Sequence, residues 1–325
     1  MEEIEFGEIV NLPMTAIWQH EERDFTPWLA KNISKLGDAL GGLQLEVEQL
    51  EVYTTNFQLD IKAKEIGTNK IVVIENQIYK TDHKHLGQLI TYASFFKAEI
   101  IIWISQEVTE DHRSAIDWLN NNTHENIQFY AVEASIIKID NSRPALTFKL
   151  KAFPNEWEKS FSTVGTISTS ETEKLYKVFF QGLIDVLREK YHFTNARVGQ
   201  PQSWYSFTSG TKGCYYGCSF ARGSKVRTEV TIDTQSQEVN KEILKSFEFH
   251  KKELENQFGE ELQFEELPTK RVSKIAVYRD GDIYTDSQNL DEIKSWCIEK
   301  LLKFKQVFGD KLKTETEKHR NLLSL

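Results

Sequence analysis

Two acidic side chains on a predicted β-hairpin have the spacing needed to share one metal ion. Asp60 lies on the first strand of the hairpin, and Glu75 follows the apolar run Ile71–Ile74 on the second. With Gly67 and Thr68 at the turn, Asp60 lies opposite Glu75, and Cβ atoms opposed in this way are about 4.5–5.5 Å apart. A register shift of one residue would move the two carboxylates to opposite faces, so the pairing depends on this turn.

Two adjacent carboxylates that leave an apolar strand repel each other and lose hydration, so they need a cation. Mg²⁺ or Mn²⁺ takes oxygen ligands of this kind, and the backbone carbonyl of Asn76 would add one more. Such a metal polarises a phosphoryl oxygen and generates hydroxide for attack on phosphorus. Gln77 shares the face of Glu75 because strands have a period of two, and it could position the attacking water. The alternative is that both acids face solvent, as charged residues of antiparallel strands often do.

A helix predicted over residues 82–96 follows the second strand and carries further polar candidates. Gln88 and Tyr92 are four residues apart and therefore share one helical face. His83 and His85 lie at the helix N-terminus, where the backbone N–H groups and the helix dipole favour phosphate. Alternatively, Tyr92 packs in the core and the histidines are solvated. No cysteine or third histidine has ligand spacing here, so a zinc site is not expected.

Together these residues resemble the PD-(D/E)XK nuclease superfamily. The pattern consists of Asp60, then Glu75-Asn76-Gln77 at the end of a strand, then a helix with Gln88 and Tyr92. The longer text, with Phe25–Leu29 before the hairpin and Thr81–Ala93 after it, is similar to an uncharacterised bacterial family. That family joins a nuclease-like N-terminal domain to a C-terminal domain of unknown function, and the resemblance covers nearly the whole chain.

The resemblance implies a four-stranded mixed sheet in an αβββαβ core, with Asp60 and Glu75 as metal ligands. It also implies that the glutamine and tyrosine of the helix line the cleft near the scissile phosphate. Gln77 occupies the position that is usually lysine, and glutamine offers a dipole where lysine would supply a cation. The acidic residue that the superfamily carries on its first helix is not obvious in this sequence, where Thr26 or Asn32 falls near its place.

The elements that must position these residues follow the order α-β-β-β-α-β-α-β, which indicates an α/β fold with a mixed sheet. The first helix is predicted to begin near Phe25 and to end at Gly41-Gly42. We expect a nuclease-like domain over residues 1–152, a linker over 153–170 and an α+β domain over 171–325.

A basic stretch within residues 191–230 interleaves cations with aromatic residues, which is the composition of many nucleic-acid grooves. Its candidates for contact with DNA are Arg222, Lys225 and Arg227. The alternative is that the aromatic residues form the core of a sheet and that the cations are solvated. The two cysteines of this stretch lack further zinc ligands and are expected to be buried thiols.

The composition limits the class of protein. The chain has 325 residues, with 40 Lys and Arg against 49 Asp and Glu, and a net charge of −9. This charge argues against a protein that coats nucleic acid nonspecifically. Three cysteines exclude a disulfide framework, the N-terminus lacks the pattern of a signal peptide, and the longest apolar run is far below the ~20 residues of a membrane span. We therefore expect a cytoplasmic protein without membrane contact.

The favoured hypothesis is a metal-dependent DNA endonuclease that uses Mg²⁺ or Mn²⁺, in restriction or phage defence as the resemblance implies, and that could act as a homodimer. The alternative is a catalytically inactive, nuclease-like module that binds nucleic acid or another protein, which the glutamine at position 77 and the missing helical acid favour. A hydrolase of small phosphates is disfavoured because no glycine-rich phosphate loop is present.

Overall fold

The computed structural model describes residues 6–53, 58–124, 126–154 and 171–322, with side chains described through residue 319. The chain divides into two compact units, the first being Met1–Glu65 with Asn69–Thr166 and the second Ile66–Thr68 with Ile167–Leu325. The predicted linker, 153–170, lies outside the described residues except for its first two positions. The domain boundaries predicted on either side of it stay predictions.

The first unit alternates strands and helices in the predicted order, with one additional strand at each end. Its strands are β1 Ile9–Leu12, β2 Leu45–Tyr53, β3 Gln58–Glu65, β4 Ile71–Lys80, β5 Ile100–Glu107, β6 Gln128–Ile139 and β7 Ala145–Ala152. Its helices are α1 Thr26–Lys31, α2 Ile33–Ala39, α3 His83–Phe96 and α4 Glu110–Asn122. A 3₁₀ turn, Met14–Ala16, and a π-helix, Glu21–Phe25, precede α1.

These strands form one mixed sheet in the order β1-β6-β5-β4-β3-β2, with β7 also paired to β6. β5 pairs in parallel with both β4 and β6, and the other strand pairs are antiparallel. The helices α3 and α4 make the crossovers that parallel strands require. The predicted fold class, an αβββαβ core with a mixed sheet, is confirmed.

The central strands β4 and β5 are buried on both faces, which explains their continuous apolar runs. On one face, Ile74 of β4 packs in a cluster with Leu29 of α1. On the other face, Val73 packs in a cluster with Leu89 of α3. Successive residues of β4 therefore face different helices.

The helix predicted from Phe25 is interrupted at Asn32, between α1 and α2. Asn32 has φ −117° and ψ 25°, and its Nδ2 donates a hydrogen bond to the Trp28 carbonyl at 2.8 Å. Local side-chain bonds of this kind compete with a continuous helix, so two short helices form where the apolar spacing predicts one. As predicted, Gly41 and Gly42 follow α2, with left-handed φ values of 71° and 84° that suit glycine.

In its described residues, the second unit has a five-stranded antiparallel sheet and four helices, which confirms the predicted α+β class. Its strands are β8 Trp204–Thr208, β9 Cys214–Ala221, β10 Lys225–Ile232, β11 Gln263–Glu265 and β12 Ser273–Asp280, in the order β11-β12-β10-β9-β8. Its helices are α5 Glu171–Glu189, α6 Gln237–Phe249, α7 Lys251–Phe258 and α8 Ser287–Leu322.

Two helices of this unit differ from the sequence prediction. The helix expected over residues 238–258 is two helices that meet at His250. The last helix extends well beyond its predicted end near Phe308, because Leu312 and Thr316 continue its buried face. All three cysteines are free and buried, as predicted. Among the helices described, none is both long enough and apolar enough to cross a membrane.

Candidate active site

A cavity of about 710 Å³ in the first unit brings together side chains from the π-helix, β3, β4 and α3. It is lined by Glu21, Glu22, Gln58, Asp60, Glu75, His83, Lys84, His85, Gly87, Gln88 and Thr91. The structure thus gathers five of the predicted site residues: both carboxylates, both histidines and Gln88. Asn76, Gln77 and Tyr92 are not part of the lining.

A second cavity, of about 690 Å³, lies along the first turns of α8. Its lining residues are Ser287, Gln288, Asp291, Glu292, Ser295, Trp296 and Glu299, which all belong to one helix. Ligand sites are concave and place a few polar groups so that they converge. Only the first of these two cavities collects titratable groups from several elements, so it is the better candidate.

The β3–β4 hairpin has the predicted register. Ile61 pairs with Ile74, which places Asp60 and Glu75 at the next position along the two strands. There the Asp60 carboxylate binds the neighbouring strand directly, since its Oδ2 accepts a hydrogen bond from the Asn76 N–H at 2.6 Å. Asp60 is 6% exposed and Glu75 is 3% exposed, so the alternative that both acids face solvent is wrong.

Burial favours the protonated form of both carboxyl groups. It raises the pKa of Asp60 well above its usual range, and the nearby carboxyls of Glu21 and Glu51 raise it further. Burial also raises the pKa of Glu75, where the charges of Asp60 and Glu21 add to the effect and Lys84 opposes it. Strongly shifted acids in a cavity are typical of functional sites.

Glu21 is an acid of the cavity that was not predicted from the sequence. It begins the π-helix, and its Oε2 accepts a hydrogen bond from the Ile78 N–H of β4 at 2.9 Å. Burial raises the pKa of Glu21. Glu21, and not Thr26 or Asn32, therefore brings a carboxyl from the N-terminal helical segment to the cavity. The signal that could have indicated it is the acidic pair Glu21-Glu22 directly before α1.

Glu51 on β2 lies outside the cavity lining, but its charge acts on Asp60, and it was not predicted from the sequence. Its φ of 47° lies in the left-handed region, a strain of about 1–3 kcal/mol for a residue with a side chain. Its carboxylate accepts a hydrogen bond from the Gln58 amide, and burial raises its pKa. The alternating acids of β2 look alike in the sequence, yet Glu48 pairs with Lys62 at 2.7 Å.

The donor set of the cavity fits an oxygen-ligated divalent metal at two carboxylates. Glu75 Oε2 is buried and has no hydrogen-bond partner among the described residues. Carboxylate oxygens are the ligands that Mg²⁺ and Mn²⁺ prefer. Within the described part of the chain, no group of three or more His, Cys, Asp and Glu side chains is arranged to hold a metal ion. Asp60 and Glu75 are therefore the ligands to test, and the metal remains a proposal.

Asn76, the third predicted metal ligand, supports the site through other atoms. Its N–H holds the Asp60 carboxylate, and its buried side chain faces α1, where Nδ2 donates a hydrogen bond to Thr26 Oγ1 at 3.1 Å. The side chain of Asn76 thus points away from Glu75, as the alternation of strand residues requires. Coordination by the Asn76 carbonyl stays a prediction.

Gln77 lies behind the cavity with both ends of its amide bonded inside the protein. Its Oε1 accepts a hydrogen bond from Trp103 Nε1 at 3.0 Å. Its Nε2 donates to the Lys80 carbonyl at 2.7 Å and to Asp82 Oδ2 at 3.1 Å. The predicted contact of Gln77 with an attacking water has no support in this geometry, because the amide already has its partners.

Gln88 and Tyr92 share a helical face as predicted, but they occupy different environments. Gln88 lines the cavity, donates a hydrogen bond to the Tyr92 hydroxyl at 3.2 Å, and has no described partner for its buried Oε1. The Tyr92 hydroxyl donates to the Gln58 carbonyl at 2.7 Å, and burial raises the pKa of Tyr92 to about 12. Tyr92 is fully buried in the core with Leu89, so it has no surface for the predicted contact with nucleic acid.

The two predicted histidines have different partners. His85 Nδ1 lies 2.8 Å from Asp82 Oδ2, and Asp82 also caps α3 by accepting the His85 N–H at 2.9 Å. His83 Nδ1 lies 2.9 Å from Nε2 of His112, a residue of α4 that no sequence pattern indicated. Burial lowers the pKa of His112, and the charge of His83 lowers it further. Contact of His83 and His85 with nucleic acid stays a prediction.

Two of the three predicted DNA-binding cations of the second unit are paired with carboxylates. Lys225 Nζ lies 2.6 Å from Asp280 Oδ1, and Arg227 Nε lies 2.5 Å from Glu229 Oε2. Arg222 is exposed in the turn between β9 and β10. Aromatic residues of β8 and β9 belong to the core, as the alternative interpretation predicts. The contact of these cations with DNA stays a prediction.

Comparisons with known proteins cover parts of the chain. Residues 175–312 match the family described as "Domain of unknown function (DUF4268)". No curated protein matches the chain. The "crystal structure of a repair endonuclease from Pyrococcus abyssi" is similar at 16% identity and a TM-score of 0.28, over 36% of this chain and 48% of that chain. The chain thus spans about half the length of that structure, and a likeness this low carries no argument about fold or function.

Proposed function

We propose that the protein is a metal-dependent nuclease that hydrolyses phosphodiester bonds. The observation that carries this proposal is the buried pair Asp60 and Glu75, which shares one cavity and forms no ion pair within the described structure. An uncompensated buried carboxylate costs several kcal/mol. Two such groups side by side indicate a cation that comes from outside the chain.

Asp60 and Glu75 would hold Mg²⁺ or Mn²⁺, which when bound polarises a phosphoryl oxygen and lowers the pKa of water. The Asn76 N–H keeps the Asp60 carboxylate in place. Gln88 offers its buried Oε1 to a hydrogen-bond donor in the cavity, such as a water molecule. Lys84 lines the same cavity, where its charge opposes the raised pKa of Glu75 and would meet that of a phosphate.

The resemblance to the PD-(D/E)XK superfamily extends this proposal in two ways. It suggests DNA as the substrate and a role in restriction or phage defence. The cavity itself argues for phosphodiester chemistry through its carboxylates and its lysine and histidine side chains. A homodimer, which would cut two strands, likewise belongs to the proposal.

A cleavage assay on varied DNA with Mg²⁺ or Mn²⁺ tests the proposed function. We expect Glu75→Ala to lower the rate of DNA cleavage at least about 100-fold, because it removes one of the two proposed metal ligands. Glu48→Ala is the matched control, since Glu48 lies on the neighbouring strand β2 and pairs with Lys62 outside the cavity lining. Cleavage that survives Glu75→Ala would show that the assigned site is not the active site.

A catalytically inactive, nuclease-like module is the second candidate. The observation that favours it is the amide of Gln77, which stands where the superfamily has lysine and is bonded on both ends inside the protein. Calorimetric titration with Mn²⁺ separates the two candidates. Binding that Glu75→Ala abolishes supports the nuclease, and no binding at millimolar Mn²⁺ supports the inactive module.

A further inference from the structure

We propose that His85 is the side chain that contacts the phosphate in this site, and that Gln77 is a positioning residue that acts on it through Asp82. This inference rests on the proposed function and deepens it, since it names the group that meets the phosphate. It also gives Gln77 a role that its geometry allows.

A chain of hydrogen bonds leads from the core of the sheet to His85. Trp103 on β5 holds the oxygen of the Gln77 amide, and the amide nitrogen of Gln77 donates to Asp82 Oδ2. The Asp82 carboxylate receives both the backbone N–H of His85, at 2.9 Å, and its ring Nδ1, at 2.8 Å. Each link is a side chain with its partners in place, so the imidazole of His85 is held in one orientation.

The same chain determines which nitrogen of His85 is free. Although partial burial raises the pKa of Asp82, the bonds from the His85 N–H and ring lower it below the ordinary value, so Asp82 is ionised. An ionised carboxylate only accepts hydrogen bonds, so the proton between the two groups belongs to His85 Nδ1. Nε2 remains for a ligand in the cavity, and when the ring binds a second proton its Nε2–H donates a hydrogen bond to a phosphate oxygen.

The charges of the cavity explain why a phosphate needs such a group. Glu21, Asp60 and Glu75 line the same cavity as His85, and the charge of His85 acts on Glu21. A phosphodiester is an anion, so it approaches these acids only beside a donor or a cation. The lining also holds Lys84, whose charge acts on Glu75, and His83, whose Nδ1 is engaged by the buried His112. His85 combines a ring fixed at Nδ1 with an Nε2 that has no hydrogen bond within the described part of the chain.

This arrangement accounts for the amide at position 77. A lysine there would place an ammonium group within reach of Asp82 and would compete with His85 for the carboxylate. The neutral amide of Gln77 orients Asp82 and leaves its charge to the imidazole. The positive group of the site therefore comes from the N-terminus of α3 and not from β4.

One substitution of His85 separates the roles of its two nitrogens. Asparagine at this position can still donate to Asp82 in place of Nδ1, whereas it lacks a group at Nε2. We expect His85→Asn to unfold at the wild-type temperature and to bind a 20-base-pair duplex in EDTA about tenfold more weakly, which is the loss of one charge-assisted hydrogen bond. His124→Asn, the same change at an exposed histidine outside the cavity lining, is the matched control and should bind as the wild type does.

The tautomer of His85 tests its bond to Asp82, and duplex binding by Gln77 variants tests the positioning role of Gln77. In the ¹⁵N-histidine spectrum of the wild type, neutral His85 should carry its proton on Nδ1, the less common tautomer of free imidazole. Asp82→Ser keeps a helix cap but removes the carboxylate, and it should return His85 to the Nε2–H tautomer. Gln77→Met should weaken duplex binding in the same direction, and Gln77→Asn, which keeps the amide, should restore part of it.

The outcomes distinguish this inference from the proposed function. Binding of the duplex by His85→Asn at wild-type affinity, or an Nε2–H tautomer in the wild type, would overturn the role of His85 even if DNA is cleaved. Unchanged binding by Gln77→Met would overturn the positioning role. A wild type that binds the duplex through His85 yet cleaves nothing with Mg²⁺ or Mn²⁺ would support His85 and refute hydrolysis.

Discussion

Glu75 in the first unit and Glu229 in the second are buried to a similar extent, at 3% and 6% exposure, yet their surroundings are opposite. Glu229 lies 2.6 Å from Lys274 Nζ and 2.5 Å from Arg227 Nε. Glu75 has another carboxylate, Asp60, as its neighbour. The second unit thus neutralises its buried acid with its own cations, whereas the first unit leaves its acids for a cation from outside.

The sheet of the second unit explains how Glu229 obtains its partners. Glu229 on β10 stands opposite Gly217 on β9 and Ala276 on β12. A Cβ on Gly217 would lie 3.2 Å from the Glu229 side chain, which is tighter than an ordinary contact. Small residues on both sides therefore leave room for the carboxylate and for the long side chains of Arg227 and Lys274. Burial alone does not identify a functional acid; the lack of a cationic partner does.

The largest expected effect on stability comes from breaking the ion pairs of Glu229. We expect Glu229→Gln to lower the free energy of unfolding by about 2 kcal/mol, because Arg227 and Lys274 keep their charges without a counter-charge. A urea titration at pH 7 measures the change. A variant as stable as the wild type would show that the two buried acids do not differ in the way described, and Glu238→Gln, on the exposed face of α6, is the control.

At Glu75 we expect the corresponding substitution to raise the free energy of unfolding, which is the opposite of the effect at Glu229. Glu75→Gln removes a buried acid that has no ion-pair partner among the residues described, so it should raise the free energy of unfolding by about 1–2 kcal/mol at pH 7 to 8. Burial raises the pKa of Glu75 from 4.5, so the folded protein keeps a proton that the unfolded chain releases. Wild-type stability should therefore fall as the pH rises above about 4.5, and the gain of the variant should vanish below that pH.

Thermal unfolding of both proteins from pH 4 to 8.5 measures this difference. Asp60→Asn should behave in the same direction, since burial raises the pKa of Asp60 as well. If Glu75→Gln lowers the unfolding temperature at pH 8, then Glu75 has a stabilising partner in the protein and the contrast with Glu229 fails.

A divalent metal should reduce the difference between Glu75 and Glu229, because it would give Glu75 a cationic partner. A metal present at ten times its dissociation constant stabilises the folded state by about 1.4 kcal/mol. We expect millimolar Mg²⁺ or Mn²⁺ to raise the unfolding temperature of the wild type and to leave Glu75→Gln unchanged. Differential scanning calorimetry with and without metal measures it, with Ca²⁺-free EDTA buffer as the reference. Equal shifts in both proteins would indicate metal binding elsewhere.

The smallest effect on stability is expected at the exposed ion pair of the second unit. Lys225 and Asp280 form an ion pair at 2.6 Å, with side chains 47% and 89% exposed. Exposed pairs contribute little because water and salt screen them, so Lys225→Ala should change the free energy of unfolding by less than about 0.5 kcal/mol. Urea titrations of Lys225→Ala and Glu229→Gln test whether burial determines how much each ion pair stabilises the protein. A loss of unfolding free energy in Lys225→Ala as large as that in Glu229→Gln would contradict this.

Local features of the fold followed from the sequence where the cause is local. The turn at Gly67-Thr68 predicted the register that pairs Ile61 with Ile74. Asp82 was predicted to begin the helix of α3, and its side chain caps it. The break of the first helix at Asn32 and the long extension of α8 were not predicted, because a side-chain bond and continued packing decided them.

The candidate site shows the same division. Asp60 and Glu75 could be placed together because two strands of one hairpin have a fixed geometry. Glu21 and His112 could not, because they lie on elements that are distant along the chain. Glu51 could not, because nothing in the sequence indicates its left-handed backbone within β2.

The sequence by itself determined the class of fold and the pairing of the two carboxylates, since both follow from hydrophobic periodicity and turn geometry. Only the tertiary structure decided that these carboxylates are buried beside further acids, that Gln77 is bonded to Trp103 and Asp82, and that Tyr92 lies in the core. The physical reason is that desolvation and side-chain hydrogen bonding depend on which residues pack around a group, and those residues come from anywhere in the chain.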